Sequence, residues 1–367
     1  MDDMASTNDF SGARGLFAAH SAEALTLAAG AAGGLLFSWL RVPGGAMSGS
    51  VIAVAALSAL GRAAPVSAPL RVMALVTMGV AIGAVVGPDT FSNIAAYPAS
   101  VAMMVVCVVA MTLASALIWN LMLGWPPAMS LLASVPGSMS YIVSVSLTMG
   151  ADAAKVAVVQ MSRVIFLVTI LPWIIVWEQG GHMAAPVAAV VDTIPVLLAT
   201  MAAGLFGGWL LQQIGMQGGM LLGALIASGI IHYVGLAPGR APLWFLNVGQ
   251  TLLGAWVGSR FVDFDWRLFG AICVGTLAAV GAAICVSVGF AWTAAQFFGV
   301  SFGTALIAYA PGGQDAMMVL ALTLGVDPIF VSAHHLARYF VINVTLPFLV
   351  AWLRRNPAAD AKGEEAS

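Results

Sequence analysis

The chain has 367 residues, of which 61% are hydrophobic and 8% charged, with a formal net charge of −2. Soluble domains carry roughly 25% charged residues, so this composition excludes a water-soluble globule and indicates an integral membrane protein. The few charges form no basic stripe, which excludes nucleic acid as a partner.

Taken in chain order, residues 1–23 read as a solvated tail: Asp2, Asp3 and Asp9 break the basic-then-apolar order of a secretory signal. Apolar runs follow at 24–40, 46–61, 69–87, 99–124, 127–149 and 153–177, making a first repeat over 24–177. A linker at 178–193, with Glu178, Gly180, Gly181, His182 and Pro186, leads to a second set at 194–213, 219–236, 243–259, 269–298, 301–324 and 328–353. Residues 354–367 form a charged, Ala-rich tail. The runs lack strand alternation, and only helices or closed barrels satisfy their backbone in lipid, so they are predicted helices. Several are shorter than the roughly 20 residues that span hydrocarbon comfortably, which gives ten to twelve spans. The fold class is an all-α polytopic membrane protein with two homologous repeats of five to six transmembrane segments, each with a broken helix.

The duplication is carried by polar and helix-breaking residues. Pro136-Gly137 and Pro311-Gly312 are 175 positions apart, and the same offset joins Gly150 to Gly325, Asp152 to Asp327, Arg163 to Arg338, Leu171-Pro172 to Leu346-Pro347 and Trp177 to Trp352. Such symmetry marks secondary-transporter folds, whose sites lie between the halves. An odd number of spans per repeat inverts the second half and an even number leaves the halves parallel. With six per half, Arg14, Arg62, Arg71, Arg240, Arg354, Arg355 and Lys362 fall on one side, and Arg41, Lys155, Arg260 and Arg267 on the other. That modest bias favours cytoplasmic termini.

The fifth segment of each half is interrupted, at Pro136-Gly137-Ser138 and at Pro311-Gly312-Gly313. Proline removes an amide donor and glycine tolerates strained dihedrals, so both helices should break near the bilayer midplane. Exposed backbone there is tolerated where it lines a cavity or is buried in protein, and a half-helix N-terminus can hold an anion; a plain packing kink is the alternative. After the second break come Gln314 and Asp315, where the first half has Met139 and Ser140. A midplane carboxylate is a functional candidate by default, although Asp315 could equally cap the second half-helix, as Ser138 or Ser140 could the first.

The sixth segments each bury an arginine, Arg163 and Arg338, with Gln160 and His335 three residues earlier on the same helical face and His334 four before Arg338. Each guanidinium is either a fixed counter-charge to half-helix carbonyls or a contact for substrate or coupling ion. The glycines before the second and eighth runs, Gly44-Gly45 and Gly218-Gly219, and those on the third and ninth, Gly83, Gly87, Gly254 and Gly258, suit close helix packing. Gln250 is the one member of that group that could face a cavity. Cys107, Cys273 and Cys285 show no CxxC spacing, and His334-His335 point about 100° apart on a helix, so no metal site is read.

These residues resemble the AbrB membrane family, which carries an AbrB duplication and has also been labelled an ammonia monooxygenase. The resemblance covers about 24–353 and rests on Pro43-Gly44-Gly45, on Gln250 with Gly254 and Gly258, and on Ala310-Pro311-Gly312-Gly313, Gly325-Val326-Asp327-Pro328 and Arg338. Gln217 where the first half has proline, and Ser140 and Ala153 opposite Asp315 and Pro328, depart from exact repetition. The core also resembles the cation/proton antiporter and anion transporter superfamily, with its crossed discontinuous helices. The family's name implies a role in regulating gene expression, indirect in a chain of this kind. A secondary transporter of a small anion or amino acid coupled to H⁺ or Na⁺ is the expected function, with a membrane sensor or regulator as the alternative. An oxygenase would need clustered ligands, which are not read here. The expected location is a bacterial inner (plasma) membrane. The expected partners are the lipid bilayer and a small-molecule substrate, with no cofactor and with homo-oligomerisation left open.

Overall fold

A computed structural model describes residues 7–86, 97–180, 190–216 and 218–355. Among the described residues there are fourteen helices and no strand: α1 (Thr7–Trp39), α2 (Gly45–Ala59), α3 (Ala68–Gly83), α4 (Tyr97–Leu123), α5 (Pro127–Ser134), α6 (Met139–Thr148), α7 (Ala153–Glu178), α8 (Ile194–Gln213), α9 (Gly219–Tyr233), α10 (Leu243–Ser259), α11 (Trp266–Phe298), α12 (Phe302–Tyr309), α13 (Gln314–Thr323) and α14 (Pro328–Arg355). The predicted runs are recovered within a few residues, except that α1 starts at Thr7. Six helices are long and apolar enough to cross a membrane: α4, α7, α8, α11, α14 and the His20–Trp39 part of α1. This is a multi-pass membrane protein. Its large apolar side chains also face outward, among them Trp39 and Trp177 near helix ends, at 79% and 82% exposure, as the membrane interface favours.

The helices gather into two compact units that cut across the sequence halves. The first unit takes α1, α2, most of α3, α8, most of α9, and α10. Here α1 and α2 form a tight antiparallel hairpin in which a Cβ on Gly33 or on Gly49 would strike the other's carbonyl, and α8 and α9 repeat it with Gly207 and Gly223. Gly254 and Gly258 of α10 lie on Met47, Ser50, Val51 and Val54 of α2, the close packing their spacing predicts; Gly87 is outside the described residues. The end of α10 meets the start of α3: Val66 N donates to Ser259 Oγ at 3.3 Å, and Arg71 and Arg260 both approach the Trp256 ring, at 6.0 and 4.2 Å. The six-span charge partition put Arg71 and Arg260 on opposite sides. The structure puts them at one end, because α10 runs opposite to its first-half counterpart α3.

The second unit holds α4–α7 and α11–α14. Helices α4 and α11 pack antiparallel, with Ser115 Oγ donating to the Ala279 carbonyl and Gly275 against Trp119 and Leu123. Both long-helix starts that follow the breaks are capped by repeated aspartates: Asp152 accepts from Lys155 N, and Asp327 from Ile329 N and Phe330 N. Each fifth segment breaks where expected, and the broken pieces match at the 175-residue offset, α5 with α12 and α6 with α13. The pieces double back and do not continue in one line. Asp327 N, just past α13, donates to Thr304 Oγ1 at the start of α12, and Gly303 lies against Val326, so α12 and α13 form a hairpin. Gln160 and Arg163 of α7 meet the carbonyls of residues 132–135, and His335 and Arg338 of α14 meet those of 307–312, which runs α7 parallel to α5 and α14 parallel to α12. Since α6 turns directly into α7, the first hairpin also returns to its own base. Hairpins thus replace the crossed helices of the wider resemblance.

Candidate functional site

Each hairpin tip links the two short helices of its pair, and helix α7 orients the hairpins. It starts at the base of the first hairpin; its far end meets the base of the second, with Gln179 Nε2 donating to Leu324 O at 3.3 Å and Ile175 beside Gly303. The hairpins therefore insert from opposite ends of α7. With 8 and 10 residues in their arms, each is about 12–15 Å long. The first tip approaches the helix that braces the second: a Cβ on Gly137 would lie 3.1 Å from Ile342 of α14, one turn beyond Arg338.

The second tip is closely bonded. Helix α12 ends at Tyr309, leaving carbonyls that no helical amide meets. Arg338, 4% exposed, straddles Pro311 and donates from Nη1 to Ala310 O and from Nη2 to Gly312 O, both at 2.6 Å. His335 Nε2 lies 3.0 Å from Ile307 O, and a carbonyl can only accept, so Nε2 carries the proton and Nδ1 is a bare acceptor, buried without a partner. Ser287 Oγ donates to Tyr309 O at 3.3 Å.

His334 is held apart from the tip backbone. Its Nδ1 donates to Phe330 O at 2.8 Å, its Nε2 accepts from Ser100 Oγ at 2.9 Å, and its ring stacks on Phe330 at 3.9 Å. Tyr309 joins the cluster by donating to Ser100. Ser100, Ser287 and Tyr309 were not among the residues singled out from sequence. A serine in an apolar helix carries no local signal of its tertiary partners, which for Ser100 stand 209 and 234 positions away.

The first tip is held more loosely. Gln160 Nε2 lies 3.2, 3.4 and 3.0 Å from the carbonyls of Leu132, Ala133 and Val135, and its Oε1 accepts from Arg163 Nη2 at 2.5 Å. Arg163 Nη1 reaches Ser134 O and Val135 O only at 3.3 and 3.5 Å, and its Nε is buried without a partner.

Helix α6 has Ser138 at its N-cap and α13 has Gly313, neither with a side-chain cap bond. Asp315 is consequently one turn-position inside α13, beside Gln314, whose Nε2 is buried without a partner. The side chain of Ser140 is outside the described residues. The structure thus gathers Pro136, Gly137, Ser138, Gln160, Arg163, Pro311, Gly312, Gly313, Gln314, Asp315, His334, His335 and Arg338 in one unit around the tips. Gln250 is buried in the other unit, on α10. Among the described residues no group of three or more His, Cys, Asp or Glu side chains is arranged to hold a metal ion.

The family described as "Transition state regulatory protein AbrB" matches residues 47–354. The chain belongs to the AbrB family. Two curated relatives are each 26% identical: "Uncharacterized protein YhjN" of Bacillus subtilis (strain 168), over 88% of this chain and 90% of that one, and "Putative regulator AbrB" of Escherichia coli (strain K12), over 60% and 64%. No solved structure matches. Both hairpins of this AbrB-family chain fall inside the matched residues.

Proposed function

We propose that this AbrB-family chain is a secondary transporter that binds a small anion or amino acid between the hairpin tips and moves it with H⁺ or Na⁺ across a bacterial inner membrane. The supporting observation is the opposed hairpin pair, each tip braced by a buried arginine, with Gly137 of the first tip facing Ile342, one turn beyond the Arg338 that braces the second. Irregular backbone at membrane depth is tolerated where it lines a cavity or is buried in protein, and a site between repeats that approach from opposite sides can be exposed to each side in turn.

A re-entrant hairpin adds no crossing, which leaves five passes per half. That odd count makes the repeats inverted, in keeping with the opposed directions of α4 and α11 and of α3 and α10. Counting passes along the chain then sends Arg14, Arg62, Arg71, Lys155, Arg260, Arg267, Arg354 and Arg355 to one side and only Arg41 and Arg240 to the other. The positive-inside rule assigns the first side to the cytoplasm. Asp315, in the first turn of α13, is the coupling group in this reading; a regulatory effect, of which the family description speaks, would follow indirectly from the transported compound.

The test is uptake into proteoliposomes under an imposed proton or sodium gradient, with labelled acetate, succinate and L-glutamate as probes. Gradient-driven accumulation of one of them is expected, and Asp315→Asn should bind that probe with its pH or sodium dependence abolished. Folded wild-type protein that accumulates none under either gradient sinks the transporter reading. An unchanged ion dependence in Asp315→Asn removes the coupling role from that residue.

A further inference from the structure

The two tips use equivalent arginines differently. Arg338 spends both terminal nitrogens on short bonds that bridge the second break, and His335 covers one more carbonyl of α12. At the first tip Gln160 takes over the carbonyls, bonding three of them with one amide. Arg163 is left with two long contacts from Nη1, a sideways bond to Gln160, and an idle Nε–H in a side chain only 7% exposed. A guanidinium presents five donors in a planar fork shaped for a carboxylate, and a buried donor without an acceptor is costly to keep. After the same break, α6 starts without a side-chain cap, and a helix N-terminus favours negative charge.

We propose that Arg163, and not Arg338, grips the ligand's anionic group, a carboxylate, at the first tip, while Arg338 is a permanent staple of the second. The assignment rests on the transporter reading only in placing the ligand at the tips. Gln160 is the positioning residue: its Oε1 turns the guanidinium so that Nε–H stays unpaired, and its amide takes carbonyls like those that occupy Arg338.

The experiment uses the full chain in lipid nanodiscs. Melting is followed by tryptophan fluorescence in the sodium salts of acetate, succinate or L-glutamate, against chloride at equal ionic strength. At least one carboxylate should raise the wild-type melting temperature. Arg163→Gln should melt close to wild type without ligand, lose that rise, and bind on the order of a hundredfold more weakly. Arg338→Lys, chosen because it keeps the buried charge, should melt lower and still show the rise. The assignment is overturned if no carboxylate shifts the wild type, if Arg163→Gln keeps the shift, or if Arg163→Gln without ligand melts as low as Arg338→Lys. Binding without uptake in vesicles would refute transport and leave Arg163 as the anchor; uptake by an Arg163→Gln variant that keeps its ligand shift would refute the anchor alone.

Discussion

Arg338 shows how a charged side chain can be structural in lipid. Its two short bonds replace the helical amides that Pro311 and the chain reversal remove, each a charge-assisted contact of about 1.5–3 kcal/mol. Arg338→Ala should therefore destabilise the chain by on the order of 3–6 kcal/mol, measured as loss of unfolding free energy in mixed micelles; a loss below 1 kcal/mol would contradict the staple. The histidines make a separate prediction. Nitrogen NMR should find His335 protonated on Nε2 and His334 on Nδ1, because each of those atoms faces a carbonyl. The reverse tautomer at either would show that the bonded partners are misassigned. Arg163, Gln160, His335 and Arg338 were legible in the sequence because three-residue spacing on a helix and a constant offset both survive without any tertiary information. Their division of labour was not, since it depends on which carbonyls of the broken helix each side chain can reach once the hairpins have folded.

At the level of helices, the glycine pairs decide how close neighbours come. Gly33 and Gly49 bring α1 and α2 into backbone contact, so Gly33→Val should cost about 1–3 kcal/mol through overpacking, read as a lowered denaturation midpoint. Gly207→Val, at the equivalent crossing of α8 on α9, should behave alike. The turn between α1 and α2 runs the other way: Arg41 has φ of 55°, where its counterpart Gly215 has 75°. A non-glycine residue there carries strain of about 1 kcal/mol, so Arg41→Gly should stabilise by up to that amount in the same assay. Helix limits were almost fully legible, as hydropathy and Gly/Pro punctuation mark them. The reversal at the tips was not, because a kinked span and a re-entrant hairpin present the same run of apolar residues around the same Pro-Gly.

For the whole molecule, that reversal changes the parity of the chain and with it the sidedness of every loop that follows. In a variant stripped of Cys107, Cys273 and Cys285, a cysteine at Leu60 should be modified by a membrane-impermeant maleimide only in inverted vesicles, and one at Leu236 only in intact cells. Both positions are 72% exposed, so accessibility in the protein itself is no obstacle. Modification of both from the same side would restore six crossings per half. Sequence alone could not choose between these arrangements, since the charges sort only after the passes are counted.

The contact of Gly137 with Ile342 joins the first tip to the helix that staples the second. A methyl group at Gly137 would stand 3.1 Å from Ile342, so a shift of the first tip toward α14 presses on the helix that holds the second. Two ligands, one on each tip, would then be thermodynamically linked, and linkage is reciprocal: whatever factor the ion adds to substrate affinity, the substrate must add to ion affinity. Titrating each at saturating and zero levels of the other should return one common factor. A factor of one in both directions would mean that the tips respond independently despite their contact.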